Sequence, residues 1–366
     1  MINHSSDFQK KKYNEIINTI NDLNVQINTI ITLIKKYFNL NDFIEIIKND
    51  IKIFSNFLKI LEIDVDLFNM IIKEIEINKK GNYKQIYCNE YKLILIFQLR
   101  NTLVKWKDLD KSIFYDPKPN TKSHYKSIHS QFVRWCCDDI FKKAFHKCIP
   151  NNNDNICFNS FTDKDDNFYI INDNNDLFID STHINNKYGS ENIIINPELK
   201  KKKVTKISTI SNVDGFIYSI TNVESKNKDI KFNYKNEKIN VTTHDSKTIL
   251  SSLENINPNI NIKSITNEIN LIGDKGYMTS DNIKLNDNNV NVITPMKKNN
   301  KNKYIYRGSK KMSYRYIIEN TICSVKKEER INLRKDRKIK VFMGWVYISS
   351  LKHNLKTNER INLLLT

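Results

Sequence analysis

The sequence predicts a mixed α/β domain in its C-terminal half, preceded by an all-α region. Three observations carry this. Apolar residues recur at helical spacing up to about residue 148, the Asn/Asp-rich stretch beginning at Pro150 interrupts the pattern, and short apolar strands alternate with turns and helices after it. With 366 residues and 39% apolar side chains, the chain is long enough for two or three packed units. The expected division is 1–80, 81–150 and 151–366.

Tyr13, Ile16, Ile20, Leu23, Ile27, Ile30, Ile34 and Tyr37 alternate spacings of three and four, an a/d seam along one helix face. About three heptads suit either a helix of a bundle or a dimerising coiled coil. A less regular helical pattern covers Asn41 to Asn78, with Phe43, Ile47, Phe54 and Phe57 among its apolar positions. Apolar helices are expected over 84–105 and 123–148. Beyond the Pro150 linker, strands are expected at 176–181, 203–210, 216–221, 239–243, 269–274 and 291–294. Helices are expected at 246–253, 312–327 and 341–355.

Composition excludes several classes. Seven glycines and six prolines rule out collagen-like and Pro/Gly low-complexity chains. No apolar run reaches the roughly 18 residues of a membrane span. The first twelve residues carry no apolar leader, and six irregularly spaced cysteines form no disulfide framework, so an intracellular, reduced protein is expected. His124, His129, Cys136, Cys137, His146 and Cys148 cluster without any zinc-ligand spacing. The chain has no Gly-rich phosphate loop. The net charge of +18 points to a polyanionic partner. Asn, Ile and Lys share A/T-rich codons, so the position of the charge is more informative than its sum. Residues 296–340 hold 16 basic and 4 acidic side chains. Lys297, Lys298, Lys301, Lys303, Arg307, Lys310 and Lys311 form one cluster, with Tyr304 and Tyr306 interleaved. Arg330, Arg334, Lys335, Arg337 and Lys338 form a second, and Lys200 to Lys203 a weaker third. A phosphate-binding surface is expected from them.

Three acids stand out. Asp180 closes an apolar strand in LFIDSTH, Asp274 closes another in LIGDKGY, and Glu319 lies within a helix in YRYIIEN. Carboxylates converging at strand ends repel one another unless a cation neutralises them. An all-oxygen donor set favours Mg²⁺ or Mn²⁺. Two such ions can activate an attacking oxygen and stabilise a leaving one in phosphodiester chemistry. Arg315, Glu319 and Lys326 share a helix face, where Arg and Lys could reach phosphates or Arg315 could simply pair with Glu319.

These motifs resemble those of DDE transposases of the bacterial insertion-sequence-four and -five superfamily, over roughly residues 90–355. IDSTH at 179–183 resembles the family's first-Asp strand. VTKISTISNVDGFIYSITN at 204–222 resembles the hairpin that follows. THDSKTILSSL at 243–253 resembles its His-Asp-Ser helix start, GDKGYMTS at 273–280 its second-Asp motif, and NVITPMKKN at 291–299 the next strand. Arg315, Glu319 and Lys326 fit the signature Y-x2-R-x3-E-x6-K, with Met312 in place of its Tyr. VKWKDLD at 104–110 and HYKSIHSQFVRW at 124–135 resemble the family's helical N-terminal region, while residues 1–80 lie outside the resemblance.

The resemblance implies an RNase H-like mixed sheet with flanking helices. Asp180, Asp274 and Glu319 would be the catalytic, metal-binding triad for two Mg²⁺ (or Mn²⁺) ions. Arg315, Lys326, Lys275, Lys297, Lys298, Arg307 and Lys206 would contact DNA. The implied activity is cleavage at transposon ends and strand transfer to target DNA, by a homodimer or larger assembly acting at the DNA, whether in nucleus, nucleoid or viral factory. A DNA-binding relative that does not cut and a stand-alone nuclease of the same fold are the alternatives. His183 and His244, beside acids of these motifs, are further candidates for supporting the site.

Overall fold

The computed structural model describes residues 3–79, 87–100, 105–115, 124–149, 176–196, 202–223, 230–232, 238–241, 245–256, 269–277, 290–295 and 315–365. The chain divides into two compact units, Met1–Ala144 and Phe145–Thr366. Among the described residues no helix is long and apolar enough to cross a membrane.

The first unit is helical: α1 (Asn3–Asn21), α2 (Ile27–Tyr37), α3 (Leu40–Ile47), α4 (Ile51–Ile60), α5 (Val65–Ile77), α6 (Asn89–Arg100), α7 (His124–Cys137) and α8 (Ile140–Cys148), the last crossing the unit boundary. The heptad seam is not one helix. Asp22 accepts a hydrogen bond from the Asn24 N–H at 3.2 Å in the turn between α1 and α2, and Leu23 is exposed there. Ile16, Ile20, Ile30 and Ile34 are buried within the unit. The seam therefore packs a bundle, and its apolar face is not left for a second chain. Asn39, Asp50 and Asp64 cap α3, α4 and α5 by accepting N–H bonds from Asn41, Ile53 and Leu67 at 3.1, 3.1 and 2.9 Å. Asp139, at φ +56°, breaks the expected 123–148 helix into α7 and α8.

The second unit is a mixed α/β fold. Its sheet contains β1 (Asp176–Asn186), β2 (Ile194–Asn196), β3 (Lys202–Ser211), β4 (Ile217–Asn222), β5 (Ile230–Phe232), β6 (Lys238–Val241), β7 (Ile269–Ile272), β8 (Val290–Ile293) and β9 (Leu333–Arg334). β1 and β3 are the long antiparallel centre, in register from Phe178–Ser211 to Asn185–Val204. At one end the order is β4-β3-β1-β7-β8: an antiparallel meander continued by two strands parallel to β1. At the other end β2 takes the place of β4 beside β3, and β9 takes that of β7 beside β1.

Among the described residues four helices accompany the sheet: α9 (Ile249–Glu254), α10 (Tyr316–Lys326), α11 (Glu329–Asn332) and α12 (Ile339–Leu365). Ile318 and Ile322 of α10 pack against Phe178 of β1 and Ile272 of β7 in one buried cluster. On α9, the Ser252 hydroxyl donates to Ser208 of β3 at 2.9 Å, and Ser219 of β4 donates to the Ser252 carbonyl at 2.6 Å. α12 locks the β3–β4 turn. Its Asn354 amide accepts from the Ile217 N–H at 2.8 Å and donates to the Ile217 carbonyl at 2.9 Å. His353 lies 2.9 Å from the Gly215 carbonyl and 3.1 Å from the Ser324 hydroxyl, so the turn, α10 and α12 are tied together. Gly215 takes φ +83° in that turn, a conformation that strains any residue with a Cβ.

The second basic cluster expected from the sequence is largely interior. Arg334 is fully buried, and its guanidinium donates to the carbonyls of Asp336 (3.1 Å), Glu191 (2.7 Å) and Arg337 (2.9 Å) and to the Thr205 hydroxyl (2.8 Å). Arg330 is buried with its guanidinium 5.5 Å from the Trp345 ring centre. These two arginines are structural, whereas Arg337 and Lys338 are exposed.

Candidate functional site

Two adjacent parallel strands place the first two acids. The β1–β7 register ends at the Phe178–Ile272 pair, and Asp180 and Asp274 each lie two residues further along. Both therefore stand at the same level of the sheet, Asp274 just past the end of β7, but Asp180 does not close its strand as expected: β1 runs on to Asn186, so Asp180 is a mid-strand residue. α10 brings Glu319 to this level, because Ile318, the residue before it, is anchored on Phe178 and Ile272.

The carboxylates sense one another. The Asp180 carboxyl is raised from 3.8 to about 6, first by burial, with the negative charges of Asp274 and Glu319 adding to the rise. The Ser181 N–H and the Arg315 guanidinium offset part of it. Asp180 accepts from the Ser181 N–H at 2.8 Å, and Asp274 accepts from the Gly276 N–H at 2.6 Å. Glu319 is more than half exposed, with one oxygen 3.5 Å from Arg315 Nη2, the (i, i+4) pair that its spacing allows.

A fourth carboxylate lies beside Ser181 and Gly276. Asp245 opens the 3-10 turn Asp245–Thr248 that precedes α9, and its side chain accepts from the Ser181 hydroxyl and pairs with Lys206 at 2.6 Å. A Cβ added to Gly276 would lie 2.8 Å from an Asp274 oxygen and 3.0 Å from an Asp245 oxygen, so these two acids flank the same glycine. The Tyr277 ring is buried beneath them. Its hydroxyl is pushed well above its ordinary range, first by burial and then by Asp245, with Asp180 and Asp274 adding to the effect.

Lys206 does not lie where its sequence context predicts. It is 2% exposed and engaged with Asp245, so a phosphate contact from Lys206 is corrected to an internal ion pair. Lys326 is half-buried and donates to the Thr182 hydroxyl at 3.0 Å, two residues beyond Asp180 on β1. Lys275 is exposed beside Asp274. Lys297, Lys298 and Arg307, with the rest of the first basic cluster, lie outside the described residues, as does His244. His183 pairs with Lys206 across β1 and β3. Asp245 is the site residue that the sequence does not single out, since THDSK gives equal prominence to its histidine.

Among the described residues, no group of three or more His, Cys, Asp or Glu side chains stands close enough together to hold a metal ion. The donor chemistry nevertheless suits a hard divalent cation: the acids offer only oxygen, and Asp180 is a partly buried carboxyl destabilised by like charges. Comparison of the chain with protein-family models, curated proteins and solved structures gives no match.

Proposed function

We propose that the chain is a DDE-type DNA transposase with an RNase H-like catalytic domain. The observation that carries this reading is the placement of Asp180 and Asp274 at one level of adjacent parallel strands, with Glu319 on the neighbouring helix and the Asp180 carboxyl raised by burial and, to a smaller extent, by those two acids. The β4-β3-β1-β7-β8 order around the acids supports the fold assignment.

In this reading Asp180, Asp274 and Glu319 would hold Mg²⁺ or Mn²⁺, which would supply charge neutralisation for phosphodiester cleavage. Glu319 joins the other two acids by turning away from Arg315. Its release leaves the Arg315 guanidinium available to a phosphate oxygen, and Lys326 and Lys275 add positive charge on either side. Ser181 and Lys206 hold Asp245 in place, which keeps the Gly276 turn and the Asp274 oxygen it binds in position.

The decisive assay is cleavage of duplex DNA carrying the element's ends by the full chain with Mg²⁺, compared with D180N, D274N and E319Q. Loss of cleavage in all three, with DNA binding retained, is the expected result. Undiminished cleavage by D180N would remove the site. Strand-transfer products from a 3′-OH donor end separate a transposase from a stand-alone nuclease.

A second reading, a DNA-binding relative that does not cut, is favoured by the carboxylates not being gathered within reach of a shared ion. Absence of Mg²⁺-dependent cleavage by the wild-type chain would select it.

A further inference from the structure

Two lysine-rich stretches far apart in sequence meet at the C-terminal end of β1, further along the strand than Asp180. β1 runs on past its pairing with β9 into the loop 187–193, and the Lys187 N–H donates to the Arg334 carbonyl at 2.9 Å. Ser190 N–H donates to the Arg337 carbonyl at 3.0 Å, which binds the loop 335–338 to the loop 187–193. The β1–β3 register brings the start of β3, with Lys202 and Lys203, alongside Asn186. Lys187, Lys202, Lys203, Arg337 and Lys338 are all exposed, and Tyr188 is 56% exposed with the Lys187 ammonium 5.2 Å from its ring centre.

The acids of the two loops offset little of this charge. Asp336 is buried beside Arg330 and Arg334, which leaves exposed Glu191, accepting from the Ile339 N–H at 2.8 Å, against the exposed cations Lys187, Lys202, Lys203, Arg337 and Lys338. The shelf is also rigid. Arg334 grips three carbonyls beneath it, and Gly189 passes so close that a Cβ there would lie 2.6 Å from the guanidinium. Rigidity lowers the entropic loss of ordering the lysines on a partner.

We propose that this shelf is a second nucleic-acid contact, binding the phosphate backbone of duplex DNA flanking the cleavage point. The inference rests on the reading of the acid pocket as the place where DNA is cut. Asp180 and Lys187 are seven residues apart on one extended strand, about 23 Å at ~3.3 Å per residue. That distance corresponds to roughly seven base pairs at ~3.4 Å each. Lys326, bonded to Thr182, stands between the two and would continue the positive track.

The test measures affinity of the full chain for duplexes across a salt series, with the variant K187A/R337A/K338A. Each phosphate that the variant no longer neutralises should flatten the slope of log K against log salt by about 0.9, so a reduction of up to about 3 is expected. The effect should appear on duplexes reaching ten or more base pairs past the cut and vanish on those ending at three. K202E/K203E, on the neighbouring strand, provides an independent variant and should weaken the same long duplexes. An unchanged slope in both variants overturns the proposal. So does a loss of binding to vesicles of phosphatidylserine with duplex binding intact. D180N is the separating control. If neither wild type nor D180N cuts DNA while K187A/R337A/K338A still shows the flattened slope, the shelf stands and the cutting reading fails.

Discussion

The middle of β1 and its far end treat charge in opposite ways. At the Arg334 end, a guanidinium with no solvent exposure has its donors matched to three carbonyls and a hydroxyl. Around Asp180, in the middle of the strand, Asp274, Glu319 and Asp245 lie nearby without closing on a common point, with Lys206 fixed to Asp245 and Arg315 only loosely on Glu319. A buried charge whose hydrogen bonds are complete belongs to the architecture, since it gains nothing from a ligand. A carboxyl raised by burial and by its neighbours is one that a cation would relieve. The contrast teaches that charge in this chain is informative only together with its partners.

Arg334→Met gives the sharpest test of that division. It removes donors from buried acceptors and should lower unfolding free energy by about 3–5 kcal/mol, or prevent folding, as read by urea titration. A loss under about 1 kcal/mol would mean that the knot is not architectural. Lys206→Met comes next, with a loss of about 2–3 kcal/mol, because it strands Asp245 among other acids. Thermal melts of the variant against wild type check it.

Asp180→Asn should move stability the other way. Its carboxyl titrates near 6 in the folded chain and near 3.8 unfolded, so its favourable contribution is complete below 3.8 and disappears as pH rises through 6. At pH 8 without divalent ions the variant should be more stable than wild type by about 1–2 kcal/mol, a melting shift of a few degrees, and the gain should fade toward pH 4. Added Mg²⁺ should raise the melting temperature of wild type and leave that of the variant unmoved. The smallest effect belongs to Arg315→Ala, where an exposed (i, i+4) pair contributes less than about 0.5 kcal/mol. Its stability should barely change while DNA cleavage falls, and a parallel stability loss would make Arg315 a structural residue.

Much of this was legible in the residues, for physical reasons that also mark where legibility stops. β1, β3, β4, β7 and β8 were readable because buried apolar runs broken by turn residues leave few other conformations. β2, β5 and β9 have three residues or fewer, too short to show a period. Asp50 and Asp64 sit at helix starts where their oxygens meet free N–H groups, but the turn at Asp22–Asn24 overrode an unbroken heptad pattern. Within the site, Asp274 lies just past β7 as its apolar run implies, whereas Asp180 is followed by six further residues of β1, because the polar stretch STH still pairs with β3. Lys206 and Arg334 were not legible, because a basic side chain carries no mark of burial. Their partners, Asp245 39 residues away and Glu191 143 residues away, are adjacent only after folding.

Asn354 has a further consequence. β4 has a hydrogen-bonded strand on one side only among the described residues, and on the other its Ile217 peptide is met by this one amide. With Asn255, which donates to the Ile220 carbonyl at 3.0 Å, it occupies backbone groups of β4 that could otherwise template pairing with another molecule. The long terminal helix guards solubility as well as packing, and losing it would expose a sticky border before it disturbed the acids.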